Sequence, residues 1–250
     1  MPAVTDRLLY QFPLSHYCEK TRWHMDIKGL SYRTKNLFPG LHRSRTQKLA
    51  GSDMLPLLHD QNRWIADSTD IALYLEKTYP EKSLLPADPE QRAEVIRLEA
   101  YFDDLGDQVR RWVFADLVDS PDLGSLMFSA YALPTRLLGK AMMPLVRTGL
   151  RKLYKLSPTR VAEAHRQVLE GLEEIERLLH NNPNGYLVGG QLTLADITAA
   201  SMFGPLIGPV NSPWGGRDGV PPRLADLRQA SQQRVAGQWM LRLYREKPRV

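Results

Sequence analysis

The chain has 250 residues, of which 43% are hydrophobic and 24% charged, ordinary shares for a folded globular protein and enough for two modest domains or one large one. Its formal net charge is +5, and one segment accounts for it: residues 123–162 contain no Asp or Glu but carry Arg136, Lys140, Arg147, Arg151, Lys152, Lys155 and Arg160. With no zinc-finger spacing, basic-zipper pattern or aromatic RNA-binding motif beside it, this block argues against a nucleic-acid partner, and the single cysteine, Cys18, excludes an intramolecular disulfide.

The opening residues, MPAVTDRLLYQF, have no long apolar core behind a basic start, so no secretory signal is read there. A lone cysteine suits a reducing compartment, and a cytoplasmic location is expected. Residues 7–12 read as a strand, broken by Pro13-Leu14-Ser15. A helix follows over 18–28, with Cys18, Thr21 and Met25 on one face and Gly29 as its stop. Residues 31–37 read as a second strand and 43–50 as a short helix. Two apolar runs, 55–60 and 63–66, flank Gln61-Asn62, a hairpin turn. Residues 71–77 are helical, led in by Asp67-Ser68. The order β-α-β-α-β-β-α predicts a small mixed sheet flanked by helices.

The stretch TYPEKSLLPADPEQ then reads as a linker. It divides the chain into a first domain at 1–80, a linker at 81–89 and a second domain at 90–250. Beyond it, residues 90–117, 159–180, 195–203, 224–233 and 235–245 have helical spacing, and Pro134, Pro144 and Pro158 cut the middle into shorter pieces. Residues 197–216 are uncharged, but Pro205, Pro209, Pro213 and four glycines make them a buried helix running into a loop rather than a membrane span.

Three motifs stand in order along this layout: QFPLSHYCEKTRW, MLPLLHDQNRWIADSTDIALYLEKTYP and YLVGGQLTLADITAA. In the third, Thr193 and Asp196 have the spacing of a capping box. In the second, Ser68 and Thr69 open a helix, where free N–H groups and the helix dipole favour an anion. Together the motifs resemble the cytosolic glutathione transferases, with a serine-type, zeta- or omega-like first motif. The resemblance implies a thioredoxin-like α/β domain followed by an all-α domain.

By the resemblance, Ser68 binds the γ-glutamyl carboxylate of glutathione through its N–H and hydroxyl, and Asp67 faces the α-amino group. Pro56 is cis, so that Leu55 exchanges backbone hydrogen bonds with the cysteinyl part. His42 or Lys48 supplies a cation for the glycine carboxylate. Ser15 occupies the catalytic position and donates a hydrogen bond to the glutathione sulfur, favouring thiolate. The plainer reading of Ser15 is a helix cap, and a capping serine can do both. Tyr10 reads as a residue of the first strand, with Gln11 in the tyrosine-type register. Cys18 reads as a small core residue.

The resemblance further implies a transferase with glutathione as co-substrate, a small apolar electrophile held between the domains, a role in detoxification, and a homodimer. Tyr101, Trp112, Phe128 and Tyr131 are candidates for the electrophile pocket. The acid-free segment is read as a wall of that pocket, a contact for an anionic partner or membrane surface, or simply a solvated face. The competing readings are a non-catalytic binding module of the same fold and a thiol-disulfide oxidoreductase using Cys18. No metal site is expected.

Overall fold

The computed structural model describes residues 7–216 and 220–248. Residues 1–6, read above for a secretory signal, and residues 217–219 and 249–250 lie outside the described part.

The first half follows the predicted order. Strand β1 (Leu8–Gln11) leads into helix α1 (His16–Ile27), then β2 (Arg33–Asn36), α2 (His42–Ala50), β3 (Leu57–Asp60), β4 (Arg63–Ala66) and α3 (Ser68–Thr78). The four strands form one sheet in the order β2-β1-β3-β4. β1 runs parallel to β2 and antiparallel to β3, and β3 pairs antiparallel with β4. Gln61 and Asn62 both take positive φ, 47° and 62°, the conformation of a tight hairpin turn whose twist matches that of the strands.

Alternation along the strands feeds both faces of the sheet. Leu9 and Leu58 pack with Met25, Ile71 and Leu75 from α1 and α3. Tyr10 and Leu57 point the other way, into a cluster with Cys18, Leu37 and Leu55. Two helices begin earlier than their periodicity predicts. α1 starts at His16 because Ser15 caps it, and α3 starts at Ser68 because Asp67 caps it.

The remainder is helical: α4 (Pro89–Leu117), α5 (Leu123–Phe128), α6 (Leu133–Ala141), α7 (Met143–Leu153), α8 (Pro158–Asn181), α9 (Leu194–Ile207), α10 (Pro222–Gln233) and α11 (Val235–Glu246). Pro134, Pro144 and Pro158 each fall in a first turn, where the missing N–H costs nothing. α9 is buried along its whole length and stops at Gly208, which takes φ +60°. The Asp196 carboxylate accepts from the backbone N–H of Thr193 at 2.7 Å and of Leu187 at 2.8 Å, tying the start of α9 to the loop before it. Among the described residues, no helix is long and apolar enough to cross a membrane. The architecture is therefore a thioredoxin-like α/β unit joined to an all-α unit.

The two units share a continuous core, in which Trp23 and Ala72 from the first half join the helical cluster. The Trp23 ring lies 4.6 Å from that of Tyr244 on α11. A fully buried cation also crosses the seam. The Lys20 ammonium on α1 donates to Glu99 and, at 2.6 Å, to Asp103, both on α4, and to the Thr69 hydroxyl at 2.9 Å. Neither Lys20 nor Glu99 is more than 2% exposed. Glu76 on α3 anchors the linker: it pairs with Lys28 at 2.9 Å and His24 at 2.7 Å, and accepts from Ser83 and the N–H of Leu84.

Candidate active site

Sheet register brings four loops to one edge. Tyr10 pairs with Leu57, so the loop after β1, carrying Ser15, lies beside the start of β3, carrying Leu55-Pro56. Leu57 pairs with Ala66, so Asp67 and Ser68 emerge at the same edge. Gln11 pairs with Asn36, which brings in the loop from Leu37 to His42. Residues far apart in sequence thus converge at the amino ends of α1 and α3.

Ser15 has extended backbone angles, φ −72° and ψ 125°, and its Oγ accepts from the N–H of Cys18 at 3.3 Å. The cap uses a lone pair and does not consume the hydroxyl proton; the same hydroxyl also lies within hydrogen-bond reach of the Cys18 thiol. The Leu55-Pro56 bond is cis, as the resemblance implies. Among the described residues, Leu55 takes no part in the backbone hydrogen bonds of the sheet or its turns.

Asp67 takes φ +76°, unusual for a residue with a side chain. Its Oδ1 accepts from the N–H groups of Thr69 at 2.8 Å and Asp70 at 3.3 Å. The carboxylate therefore caps α3 through one oxygen and keeps the other free. Ser68 is buried, and its hydroxyl lies 3.4 Å from the Asp103 carboxylate, which comes from α4. Burial raises the Asp103 carboxyl above its ordinary value; Lys20 opposes that shift, while Glu99 and Asp67 add to it.

His42 departs from its expected role as a cation. Burial, aided by the neighbouring charge of Arg43, lowers its pKa. Its Nδ1 accepts from the N–H of Gly40 at 3.2 Å, and the ring sits edge-on to Phe12, 4.7 Å between centres. A neutral ring can offer an N–H donor but no charge. Lys48, the other candidate, is exposed in the last turn of α2.

Tyr10 is buried against Trp64, at 5.4 Å between ring centres, and Arg45 donates to its hydroxyl. Gln11 is held by Arg22 and by Asn36. Cys18 is fully buried, and burial pushes its thiol up, away from the reactive thiolate.

The four pocket candidates divide. Phe128 stacks on Phe38 with centres 5.3 Å apart, and the Tyr131 hydroxyl donates to the carbonyl of Leu37 at 2.8 Å, so both lean over the loop after β2. Trp112 instead packs on His165 of α8, 4.4 Å between ring centres, and Tyr101 lines a groove with Gln167 and Glu170 on the same side. They belong to the face of α4 that packs against α8.

The residues that sequence reasoning passed over come from α4 and from Tyr17 of α1, which meets it. Tyr17 donates to the carbonyl of Asp103 and to Asp107, both at 3.2 Å. The Arg110 guanidinium lies 5.6 Å from the centre of the Tyr17 ring and 4.7 Å from that of Tyr154. The spacing Glu99-Asp103-Asp107, one acid every four residues along one helix face, was the available signal.

A thioredoxin-like sheet whose loop ends, cis-proline and two helix amino ends meet at one edge, closed by helices of a second unit, defines a thiol-peptide binding fold. Residues 9–83 match the family description "Glutathione S-transferase, N-terminal domain", and residues 158–230 match "Glutathione S-transferase, C-terminal domain". The chain is 27% identical to "Glutathione S-transferase 1" of Dianthus caryophyllus over 198 residues, covering 78% of this chain and 75% of that one. It is 24% identical to "Glutathione S-transferase zeta class" of Euphorbia esula over 192 residues, covering 76% and 71%. Its fold matches the crystal structure of a glutathione S-transferase of Ceriporiopsis subvermispora in complex with glutathione, with a TM-score of 0.61 at 19% identity over 98% of each chain. The chain belongs to the glutathione S-transferase family of enzymes, with glutathione as co-substrate.

Proposed function

We propose that this enzyme activates the glutathione thiol through Ser15 and directs it at a small, apolar electrophile held between the sheet edge and α5. The observation that carries this reading is the Ser15 cap. Its lone pair is spent on the N–H of Cys18, while its proton remains available, at the positive end of α1, for a sulfur anion. A hydrogen bond that is stronger to thiolate than to thiol lowers the thiol pKa. The thiol proton leaves to solvent, and the thiolate sulfur bonds to the electrophile, which either expels a leaving group with its electron pair or, in addition across a double bond, breaks the π bond and takes up a proton from solvent. Phe128 and Tyr131, both buried against the loop after β2, back the far side of that space, with the Tyr131 hydroxyl held by the Leu37 carbonyl.

Glutathione recognition follows the same edge. Ser68 offers its N–H and hydroxyl to the γ-glutamyl carboxylate, Asp67 offers its free oxygen to the α-amino group, Leu55 offers its peptide groups to the cysteinyl part, and His42 offers a neutral N–H to the glycine carboxylate. Ser68→Ala should weaken glutathione binding by about 1–3 kcal/mol, the scale of a hydrogen bond to a charged group. Titration calorimetry giving equal affinities for wild type and Ser68→Ala would remove this site. Absorbance of the bound thiolate across pH tests the activation: a pure binding module would hold glutathione without shifting its thiol pKa. The oxidoreductase reading has little support, because Cys18 is fully buried and its thiol is pushed up.

The glutathione-binding part is assigned to residues 1–80 and the helical part to 90–250, with a homodimer as the working assembly. A groove of about 730 Å³ between α3 and α4, where Leu73 and Ile96 are 41% and 36% exposed, offers a surface contributed by both parts. Light scattering should give twice the monomer mass at micromolar concentration, and Leu73→Glu should halve it. A monomeric wild type would end this assignment.

A further inference from the structure

Helices α6 and α7 follow one another with only Met142 between them, and each buries little. α6 buries Gly139, where a Cβ would collide with the Phe128 ring, and α7 buries Met143 and Leu150. Their opposite faces are apolar but open. Leu133, Leu137 and Leu138 on α6 are 64%, 59% and 49% exposed, and Leu145 and Leu153 on α7 are 71% and 56% exposed. Single exposed leucines are ordinary; five on two successive short helices form an amphipathic surface over which, among the described residues, nothing is laid.

Cations share these faces. Lys140 lies three residues after Leu137 and Lys152 seven after Leu145, spacings that keep each pair on one side of its helix, and both lysines are exposed. Within the acid-free segment, Arg147 donates to the carbonyl of Ser120, and Arg151 pairs with Asp119. Among the described residues, Arg136, Lys140, Lys152, Lys155 and Arg160 have no carboxylate partner.

We propose that α6 and α7 dock on the surface of an anionic lipid bilayer, with the leucines at the headgroup–acyl boundary and Lys140 and Lys152 among the lipid phosphates. Leucines flanked by uncompensated lysines are the composition of a helix that lies in a membrane interface. Charge selects this occupant over the others. A second copy in a two-fold contact would bring the same cations face to face. A nucleic acid would leave five leucines with nothing apolar to cover them. The docking is independent of the glutathione site and stands or falls separately from it.

The test is co-sedimentation of the whole chain with phosphatidylcholine vesicles containing phosphatidylglycerol, and with phosphatidylcholine alone. Wild type should bind the anionic vesicles, lose that binding as salt rises, and bind the neutral ones weakly. Lys140→Ala with Lys152→Ala should weaken binding about 25-fold, from about five-fold per cation removed near such a surface. Leu137→Asn with Leu145→Asn should weaken it about ten-fold or more. All four positions are exposed, so both double variants should keep the wild-type circular dichroism and glutathione affinity. The proposal is overturned by no binding to anionic vesicles, or by equal, salt-independent binding to both kinds. It is also overturned by retention on polyglutamate without retention on vesicles, which would point to an acidic protein. A higher oligomer that the leucine variant dissociates would point instead to a second copy and overturn it too.

Discussion

Lys20→Met should cost about 3–5 kcal/mol of stability, the scale for removing one member of a buried ion pair. Lys20 is fully buried, and its ammonium is the only charge that Glu99, 2% exposed, meets at hydrogen-bond distance among the described residues. Without it, one buried carboxylate and most of a second lose their counter-charge, and the Thr69 hydroxyl loses a donor. The damage should be specific to the seam, because Lys20 sits on α1 and both carboxylates on α4. Replacing the pair together, Lys20→Met with Glu99→Leu, should recover the part of the loss that falls on Glu99, since apolar groups of similar volume do not need each other's charge; Asp103, whose side chain is 22% exposed, is left to solvent. Denaturant midpoints for the two single variants and the double variant form a cycle. A loss under about 1 kcal/mol for Lys20→Met would show that water reaches the seam. Because Asp103 also lies 3.4 Å from the Ser68 hydroxyl, Lys20→Met should alter glutathione affinity as well, linking the domain seam to the ligand site.

Ser15→Ala should raise the thiol pKa of bound glutathione and lower turnover by about 10²-fold or more, with affinity nearly unchanged. That is the signature of a group acting mainly on charge formed during reaction, and the size is typical of a donor aimed at such charge. Ser15→Cys should behave differently. It places a thiol at the amino end of α1, where the helix dipole lowers its pKa, and that thiol can accept glutathione in a mixed disulfide. Thiol-transfer activity should appear and conjugation should fall. Cys18 cannot readily serve as the resolving partner, being fully buried with its thiol pushed up, so free glutathione must release the mixed disulfide. Cys18→Ala in the wild-type background should leave both activities unchanged. The deciding assay is deglutathionylation of a mixed-disulfide substrate by all four proteins. If wild type is already active and Cys18→Ala abolishes it, Cys18 carries the chemistry and the serine assignment fails.

Much of the fold is legible in local sequence because local chemistry sets it. Pro13-Leu14-Ser15 ends β1 and caps α1, Gln61-Asn62 turns the β3–β4 hairpin, and Pro134, Pro144 and Pro158 each open a helix. Helix starts were less exact. Periodicity reads only the apolar face, so α1 and α3 were each predicted to begin two or three residues late, beyond the polar first turn. The cis bond at Leu55-Pro56 was legible only through resemblance, since its dipeptide carries no local mark of the isomer.

The site needed tertiary structure wherever charge or direction mattered. His42 looked like a cation, but partial burial and the charge of Arg43 favour its neutral ring. Trp112 and Tyr101 had the right type for a pocket, but their positions on α4 turn them toward α8. Lys20 lies in the first motif but had no assigned role; its role exists because α1 and α4 pack together, bringing a fully buried ammonium against the buried Glu99 and the partly exposed Asp103. Sequence by itself determined which segments form strands and helices, because capping, turn geometry and periodicity act between near neighbours. Only the tertiary structure decided which ionisable groups are buried and paired and which aromatics pack against the loop after β2, because desolvation and pairing depend on residues some 80 positions away.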